Sequence, residues 1–151
     1  MLDIEDFKKS IGKKSRLLGI DPGKKRVGLA ISDEDKLVST PLKTIIKKNN
    51  SDLVKEIKKI IEENNIKGIV VGNPINMDGS KGPSAQSAND FAKYLSNNIS
   101  IPVTMWDERL SSEAAFNLSS NLDINTSKKV EKLDQNAASF ILQGAIDYIK
   151  R

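Results

Sequence analysis

Short apolar runs near the start of the chain predict three consecutive strands. The first run lies at 17–20 and ends at the turn-forming sequence Asp-Pro-Gly at 21–23. Over 26–33, Val, Leu and Ile alternate with smaller residues, and a third β-prone run extends from Leu37 to Ile46. Because the links between these runs are short, they predict an antiparallel meander.

Later segments change to the apolar spacing of helices, which is three and four residues. Residues 51–64 place Leu, Val and Ile on one face, and Ser51 is the expected N-cap. Three more helices are expected around 91–95, within 111–120 and over 133–149. The polar residues 119–129 predict a mobile loop before the last helix.

Two further apolar runs, at 68–72 and 101–106, are short and apolar on both faces, which is typical of buried parallel strands. The elements therefore follow one another as three strands, helix, strand, helix, strand and two helices. This order predicts an α/β fold with a mixed five-stranded sheet, in which three antiparallel strands are joined by two parallel ones. Helices are expected on both faces of that sheet.

The first 15 residues carry Ile4, Phe7 and Ile11 at spacings of three and four, which fits either a short amphipathic helix or a frayed segment. We divide the 151 residues into this N-terminal extension, 1–15, and one domain over 16–151. The start of the chain lacks the apolar stretch of a secretory signal, and no apolar run approaches the ~20 residues that span a bilayer. We therefore expect a cytoplasmic protein with no membrane partner.

Composition restricts the chemistry that the chain can perform. It has no His and no Cys, which excludes Ser-His-Asp and Cys-His mechanisms and zinc sites built from imidazole or thiolate. Carboxylates remain, and their oxygens suit the hard cations Mg²⁺ and Mn²⁺. The net charge of +4 fits a polyanionic partner, although an ordinary solvated basic surface accounts for it equally well.

Several carboxylates follow predicted strands, where ligands collect in open α/β sheets. Asp21 ends the first strand, and Asp107 and Glu108 end the last. Because side chains on a strand alternate between faces, only one of Asp107 and Glu108 is expected to reach a shared metal. Asp134 falls on the inward stripe of the final helix, where an acid is costly unless it is paired or binds a cation. Each acid also has a plainer explanation, as a turn residue or a helix-start residue.

A divalent cation would relieve the repulsion among such acids and supply hydrolytic chemistry. Two ions about 4 Å apart can activate a water and stabilise the leaving oxygen of a phosphoryl displacement. Lys24, Lys25 and Arg26 follow Asp21 and are expected either to contact backbone phosphates or to form a solvated basic turn. Arg109 is expected to hold a phosphate oxygen or to pair with a neighbouring carboxylate.

Four blocks of the sequence resemble, in order and spacing, the YqgF family of Holliday-junction-resolvase-like proteins. They are LLGIDPGKKRVGLAISD, VVGNPINMDGSKG, WDERLSSEAA and KLDQNAASFILQGAIDY, and together they cover about residues 16 to 150. The resemblance implies an RNase-H-like fold and a nuclease that uses Mg²⁺ or Mn²⁺ and matures the 5′ end of pre-16S ribosomal RNA, with relatives that cut four-way DNA junctions.

Carried onto this sequence, the resemblance implies an acidic site made of Asp21, Glu108 and Asp134, with Asp107 kept as an alternative to Glu108. It also implies that the glycine-containing loop from Gly72 to Gly79, which includes Asn76, borders the substrate.

Two other functions compete with a nuclease. An actin-like ATPase or sugar kinase also uses an Asp-x-Gly turn, but such enzymes close two domains around the nucleotide, and residues 12–15 lack the full phosphate-loop spacing. A binding module for structured RNA or junctions is the second; with 5% aromatic residues it would bind through charge and shape. The sequence leaves open RNA against DNA, one metal ion against two, and monomer against homodimer.

Overall fold

The computed structural model describes residues 1–76, 78–110 and 126–150, and within 126–135 it describes the backbone alone. These residues form five strands and four α-helices. The strands are β1 (Arg16–Pro22), β2 (Arg26–Ser32), β3 (Ser39–Ile46), β4 (Ile66–Asn73) and β5 (Val103–Asp107). The helices are α1 (Ile4–Ser10), α2 (Asn50–Asn64), α3 (Pro83–Asn98) and α4 (Thr126–Ile149), and a 3₁₀ turn, Glu108–Leu110, follows β5.

The five strands form one sheet in the order β3-β2-β1-β4-β5. The pairs β1–β2 and β2–β3 are antiparallel, whereas β1–β4 and β4–β5 are parallel. The sheet predicted from the sequence, with three antiparallel strands and two parallel ones, is therefore confirmed.

Helices cover both faces of this sheet, as predicted. Because side chains alternate along a strand, neighbouring residues of β1 enter different cores. Leu18 and Ile20 are buried with residues of α2 and α3, whereas Leu17 is buried with residues of α1 and α4. Below, the two sides are called the α2–α3 face and the α4 face.

Two helix boundaries differ from the sequence prediction. The N-cap of α2 is Asn49, not Ser51; the extended backbone of Asn49 lets its side-chain oxygen accept from the N–H of Asp52 at 2.8 Å. The final helix begins at Thr126, so the predicted loop is wrong for 126–129, where two lysines favour helix. The helix predicted within 111–120, and the loop up to 125, lie outside the described residues.

The N-terminal segment forms a short helix, one of the two alternatives that the sequence left open, and packs beside β5. Asp3 caps α1, and the Phe7 side chain is fully buried. The backbone N–H of Leu2 donates to the Val103 carbonyl at 2.9 Å, and the Thr104 hydroxyl donates to the Leu2 carbonyl at 2.9 Å. None of the helices in the described ranges combines the length and apolar character that a bilayer span requires.

Candidate active site

Acidic residues meet at the edge of the sheet where β1, β4 and β5 end. These strands are mutually parallel, so their carboxyl ends lie side by side. The register pairs Ile20 with Val71 and Asn73 with Asp107, which places Asp21 at the same level as Gly72. The strand-end location predicted for the acids is where the structure has Asp21 and Asp107.

The side chains of Asp21 and Glu108 are hydrogen-bonded to each other, and we call them the acidic pair. Glu108 begins the 3₁₀ turn after β5, and it lies partly buried. Burial, the charge of Asp21, the hydrogen bond to Asp21 and the charge of Asp107 together raise the pKa of the Glu108 carboxyl to about 8, and burial contributes most. At neutral pH the pair therefore holds a proton when no cation is bound.

Gly72 makes room for Glu108. A Cβ atom at this position would lie 3.0 Å from Glu108 Oε1 and 2.6 Å from the Ile141 Cδ1 of α4. Glu108 thus passes over the end of β4 at a point where no side chain intervenes. The sequence analysis placed Gly72 both in the strand predicted over 68–72 and at the start of the loop that borders the substrate; the structure has it in β4. Its contact with Glu108 was not predicted.

The acidic pair lies on the α4 face of the sheet. A Cβ atom at Gly19 would point at Leu142 of α4. Asp21 follows Gly19 by two residues on the same strand, so its side chain lies on the same side of the sheet. Trp106 is buried with the α4 residues, and Glu108, two residues later, lies against Gly72 and Ile141. Strand β1 and the 3₁₀ turn after β5 therefore supply one carboxylate each to the same face.

Asp107 has a different partner. Its Oδ2 accepts from Arg109 Nη2 at 2.7 Å and from Nε at 3.0 Å, and its Oδ1 accepts from the Arg109 backbone N–H at 2.9 Å. This fork holds the pKa of the Asp107 carboxyl below its usual range. Of the two acids that the sequence left as alternatives, Glu108 approaches Asp21, whereas Asp107 binds Arg109. Arg109 thus pairs with the neighbouring carboxylate, one of its two expected roles.

The loop after β4 folds back on itself at the border of the site. The Asn76 carbonyl accepts from the Gly79 N–H at 2.8 Å, and Asn76 Nδ2 donates to Ser80 Oγ at 3.0 Å. Asp78 accepts from both the backbone and the hydroxyl of Ser80, which lowers the pKa of Asp78, and the charge of Arg109 adds to this. Arg109 Nη1 lies 3.7 Å from the Cβ position of Gly79, so this loop borders the acidic residues of β5.

The basic residues Lys24, Lys25 and Arg26 are exposed in and beside the turn between β1 and β2. The turn is tight at Gly23, where a Cβ atom would lie 2.1 Å from the carbonyl oxygen of Arg26. Their position follows Asp21 directly, as the sequence indicated, and they flank the acidic pair on the β2 side.

Asp134 falls on α4, in the part where only the backbone is described. One helical turn later, the Ala138 carbonyl lies 3.1 Å from the Cβ position of Gly19, so α4 crosses the strand that carries Asp21. Within the side chains that the structure describes, no three acidic groups cluster closely enough to hold a metal ion.

The donor chemistry of the acidic pair fits a hard divalent cation. Both groups are carboxylates, they are hydrogen-bonded to each other, and burial disfavours the charge of Glu108. A cation of the Mg²⁺ or Mn²⁺ type favours oxygen ligands and would compensate two negative charges at this position.

The chain is similar over most of its length to proteins of one family. The family model described as "RuvX: Holliday junction resolvase" matches residues 15–148. A protein of Pelagibacter ubique named "Putative pre-16S rRNA nuclease" is 58% identical over 149 residues, which are 99% of each chain. A protein of Rhodobacter capsulatus with the same name is 41% identical and covers 95% of this chain and 91% of its own.

Solved structures share the fold at low sequence identity. Thermus thermophilus RuvC in complex with a Holliday junction substrate aligns with a TM-score of 0.53 and 11% identity, over 89% of this chain and 94% of that one. Another Thermus thermophilus RuvC structure gives the same TM-score with 12% identity, over 88% of this chain and 95% of that one. These structures share the fold of this chain, in agreement with the RNase-H-like fold that the family resemblance implies.

Proposed function

The chain belongs to the RuvX family of Holliday junction resolvases, and we propose that it is a hydrolase that cuts phosphodiester bonds in structured nucleic acid. The observation that carries this proposal is the acidic pair on the α4 face, at the edge of the sheet where the parallel strands end. Two partly buried carboxylates that need a proton or a cation between them are a costly arrangement. Such an arrangement is typical of catalytic sites.

The residues that would hold the metal ion are Asp21 and Glu108, with Asp134 as the third ligand. Asp134 is supported by the family resemblance and by the course of α4 over β1. When Mg²⁺ or Mn²⁺ is bound it activates a water and stabilises the leaving oxygen. The chain contributes the positions of the carboxylates: Gly72 leaves space for Glu108, and burial keeps Glu108 protonated until a cation takes the place of the proton.

Substrate contacts are proposed for the residues that surround the acidic pair. Lys24, Lys25 and Arg26 would bind backbone phosphates on the β2 side without reading sequence. On the β5 side, Arg109 is oriented by Asp107, and its remaining N–H groups suit a phosphate oxygen. Asn76 lies in the loop against Arg109 and would meet the same strand.

We take the 5′ region of pre-16S ribosomal RNA as the substrate, because the relatives at 58% and 41% identity carry that name. A four-way DNA junction is the second candidate, supported by the description of the family model. We place the reaction in ribosome biogenesis in the cytoplasm. A homodimer would suit a four-way junction, which has two-fold symmetry, whereas cleavage at one end of an RNA needs only one copy of the protein.

The experiment is a cleavage assay on both substrates. Labelled pre-16S 5′-leader RNA and a DNA four-way junction are incubated with the protein and Mg²⁺, Mn²⁺ or EDTA. Cation-dependent cutting of one substrate establishes the nuclease and identifies its substrate. Tight binding of either substrate without cutting under any condition would overturn the nuclease and leave a binding module for structured nucleic acid.

A further inference from the structure

Basic residues from two separate segments meet at the edge of the sheet that carries the acidic pair. Lys24, Lys25 and Arg26 lead into β2, and Lys47 and Lys48 follow the end of β3. The Lys47 N–H donates to the Lys25 carbonyl at 2.8 Å, and Arg26 pairs with Ile46 across the two strands. We call these residues the basic rim, which consists of Lys24, Lys25, Arg26, Lys47 and Lys48.

The ammonium groups of the four rim lysines are available to bind an outside partner. Within the described part of the chain, no carboxylate forms an ion pair with Lys24, Lys25, Lys47 or Lys48. Lys43, on the neighbouring part of β3, differs, because it pairs with Glu56 at 2.8 Å. Asp52 lies close to Lys47 and Lys48, but its carboxylate accepts a hydrogen bond from Asn49 Nδ2 at 3.1 Å. The four lysines of the rim are therefore a concentration of positive charge without an ion-pair partner in the described part of the chain.

The order of the strands fixes where the rim lies relative to the acidic pair. Asp21 ends β1, β2 begins beside it, and β3 ends one strand further out. The register places Thr44 at the level of Asp21, two strands away, and Lys47 follows Thr44 by three residues. Two strand spacings of ~4.8 Å across the sheet and three residues of ~3.4 Å along it put Lys47 about 14 Å from Asp21. At a rise of ~3.4 Å per nucleotide, this distance corresponds to about four nucleotides of a strand.

We propose that the basic rim binds the backbone phosphates of a nucleic-acid strand within about four nucleotides of the bond held at the acidic pair. The substrate then leaves the site across β2 and β3. This inference rests on the proposed function and adds Lys47 and Lys48 to it. Recognition is by charge, so the rim positions the strand without reading its sequence. The Ile46 side chain, 68% exposed beside Arg26, offers an apolar surface to a sugar or base of that strand.

The test measures binding without cleavage. Affinity for a labelled RNA hairpin with a 5′ single-stranded extension is determined in EDTA at several KCl concentrations. Counterion release lowers log K by about 0.7 to 0.9 per log unit of salt for each phosphate that is contacted. The double variant Lys47→Gln/Lys48→Gln is therefore expected to reduce this slope by about 1.5 and to weaken binding about 10-fold at low salt.

A matched control changes the same charge at the opposite edge of the sheet. Lys13 and Lys67 are exposed there, near the beginnings of β1 and β4, and Lys13→Gln/Lys67→Gln is expected to leave the slope unchanged. Lys47→Arg/Lys48→Arg, which keeps the charge, should retain the wild-type slope. Equal slopes in wild type and Lys47→Gln/Lys48→Gln would overturn the proposal that the rim binds the strand. An equal loss of slope in both glutamine double variants would overturn it as well. A wild type that binds with the expected slope but cuts nothing in Mg²⁺ would instead overturn the nuclease.

Discussion

Asp21 lies on β1 and Glu108 begins the 3₁₀ turn after β5, far away in the sequence, yet their carboxyl groups share a hydrogen bond on one face of the sheet. The strand between them, β4, has a glycine at that level. The proximity of the two acids is thus a consequence of the parallel register and of one missing side chain.

The shared proton makes the stability of the metal-free protein depend on pH. The pKa of Glu108 is about 8 in the folded chain, against 4.5 ordinarily, so the folded state binds more protons between these values. Stability is therefore expected to fall as pH rises from about 4.5 to about 8 and to level off above. Glu108→Gln should raise the melting temperature in EDTA, and more so at pH 9 than at pH 6. A larger gain at the lower pH would contradict the raised pKa.

Cation binding should reverse this effect, because the cation replaces the proton. We expect Mg²⁺ to raise the melting temperature of the wild type more at pH 8.5 than at pH 6.5, with release of protons. Titration calorimetry in buffers of different ionisation enthalpy measures that release. Asp35→Asn, an exposed acid in the turn between β2 and β3, serves as the control and should behave as wild type. Retention of the full Mg²⁺ effect in Glu108→Gln would remove this residue from the site.

Gly72→Ala should lose cleavage activity even at temperatures where the variant remains folded. The added methyl would meet Ile141 and Glu108, at a cost of about 1 to 3 kcal/mol in the free energy of unfolding, and would displace the Glu108 carboxyl. Gly68→Ala lies on the same strand at its other end, where the methyl meets Phe7 at 2.8 Å. Both variants should lose similar stability in urea, but only Gly72→Ala should lose activity below its melting temperature. Equal activities would show that the space at Gly72 is not used by Glu108.

Phe7→Ala tests whether the first residues contribute to the fold. The ring is fully buried and contacts the position of Gly68, so its loss should cost about 3 to 5 kcal/mol in the free energy of unfolding. Leu37→Ala, at a side chain that is 61% exposed, provides the control and should change stability little. Urea denaturation measures both. A change below about 1 kcal/mol in Phe7→Ala would mean that α1 packs loosely.

Much of the fold could be predicted because strands were separated by strong turns and helices had clear apolar faces. The sheet composition and the helices on both faces follow from the order of these elements. Helix ends were less predictable, because both Asn49 and Ser51 are good N-caps and the backbone decides between them. The start of α4 at Thr126 was missed because its first residues are polar and carry little apolar periodicity.

The position of the strand-end acids could be predicted, but their pairing could not. Strand ends identified Asp21 and the acids after β5, since these positions share one edge. The partners of Asp107 and Glu108 required the geometry of the 3₁₀ turn, which no local pattern reveals. Lys47 and Lys48 were overlooked because their proximity to Lys25 depends on strand pairing rather than on sequence spacing. The role of Asp134 remains a prediction.

The most direct test of the acidic site compares the cleavage rates of wild type, Asp21→Asn and Asp35→Asn on the substrate that the wild type cuts, with saturating Mg²⁺. All three proteins should show the same circular dichroism spectrum. Asp21→Asn is expected to cut about a thousandfold more slowly, equivalent to roughly 4 kcal/mol of barrier, while Asp35→Asn cuts at the wild-type rate. Full activity in Asp21→Asn would contradict the assignment of the acidic pair as the catalytic centre.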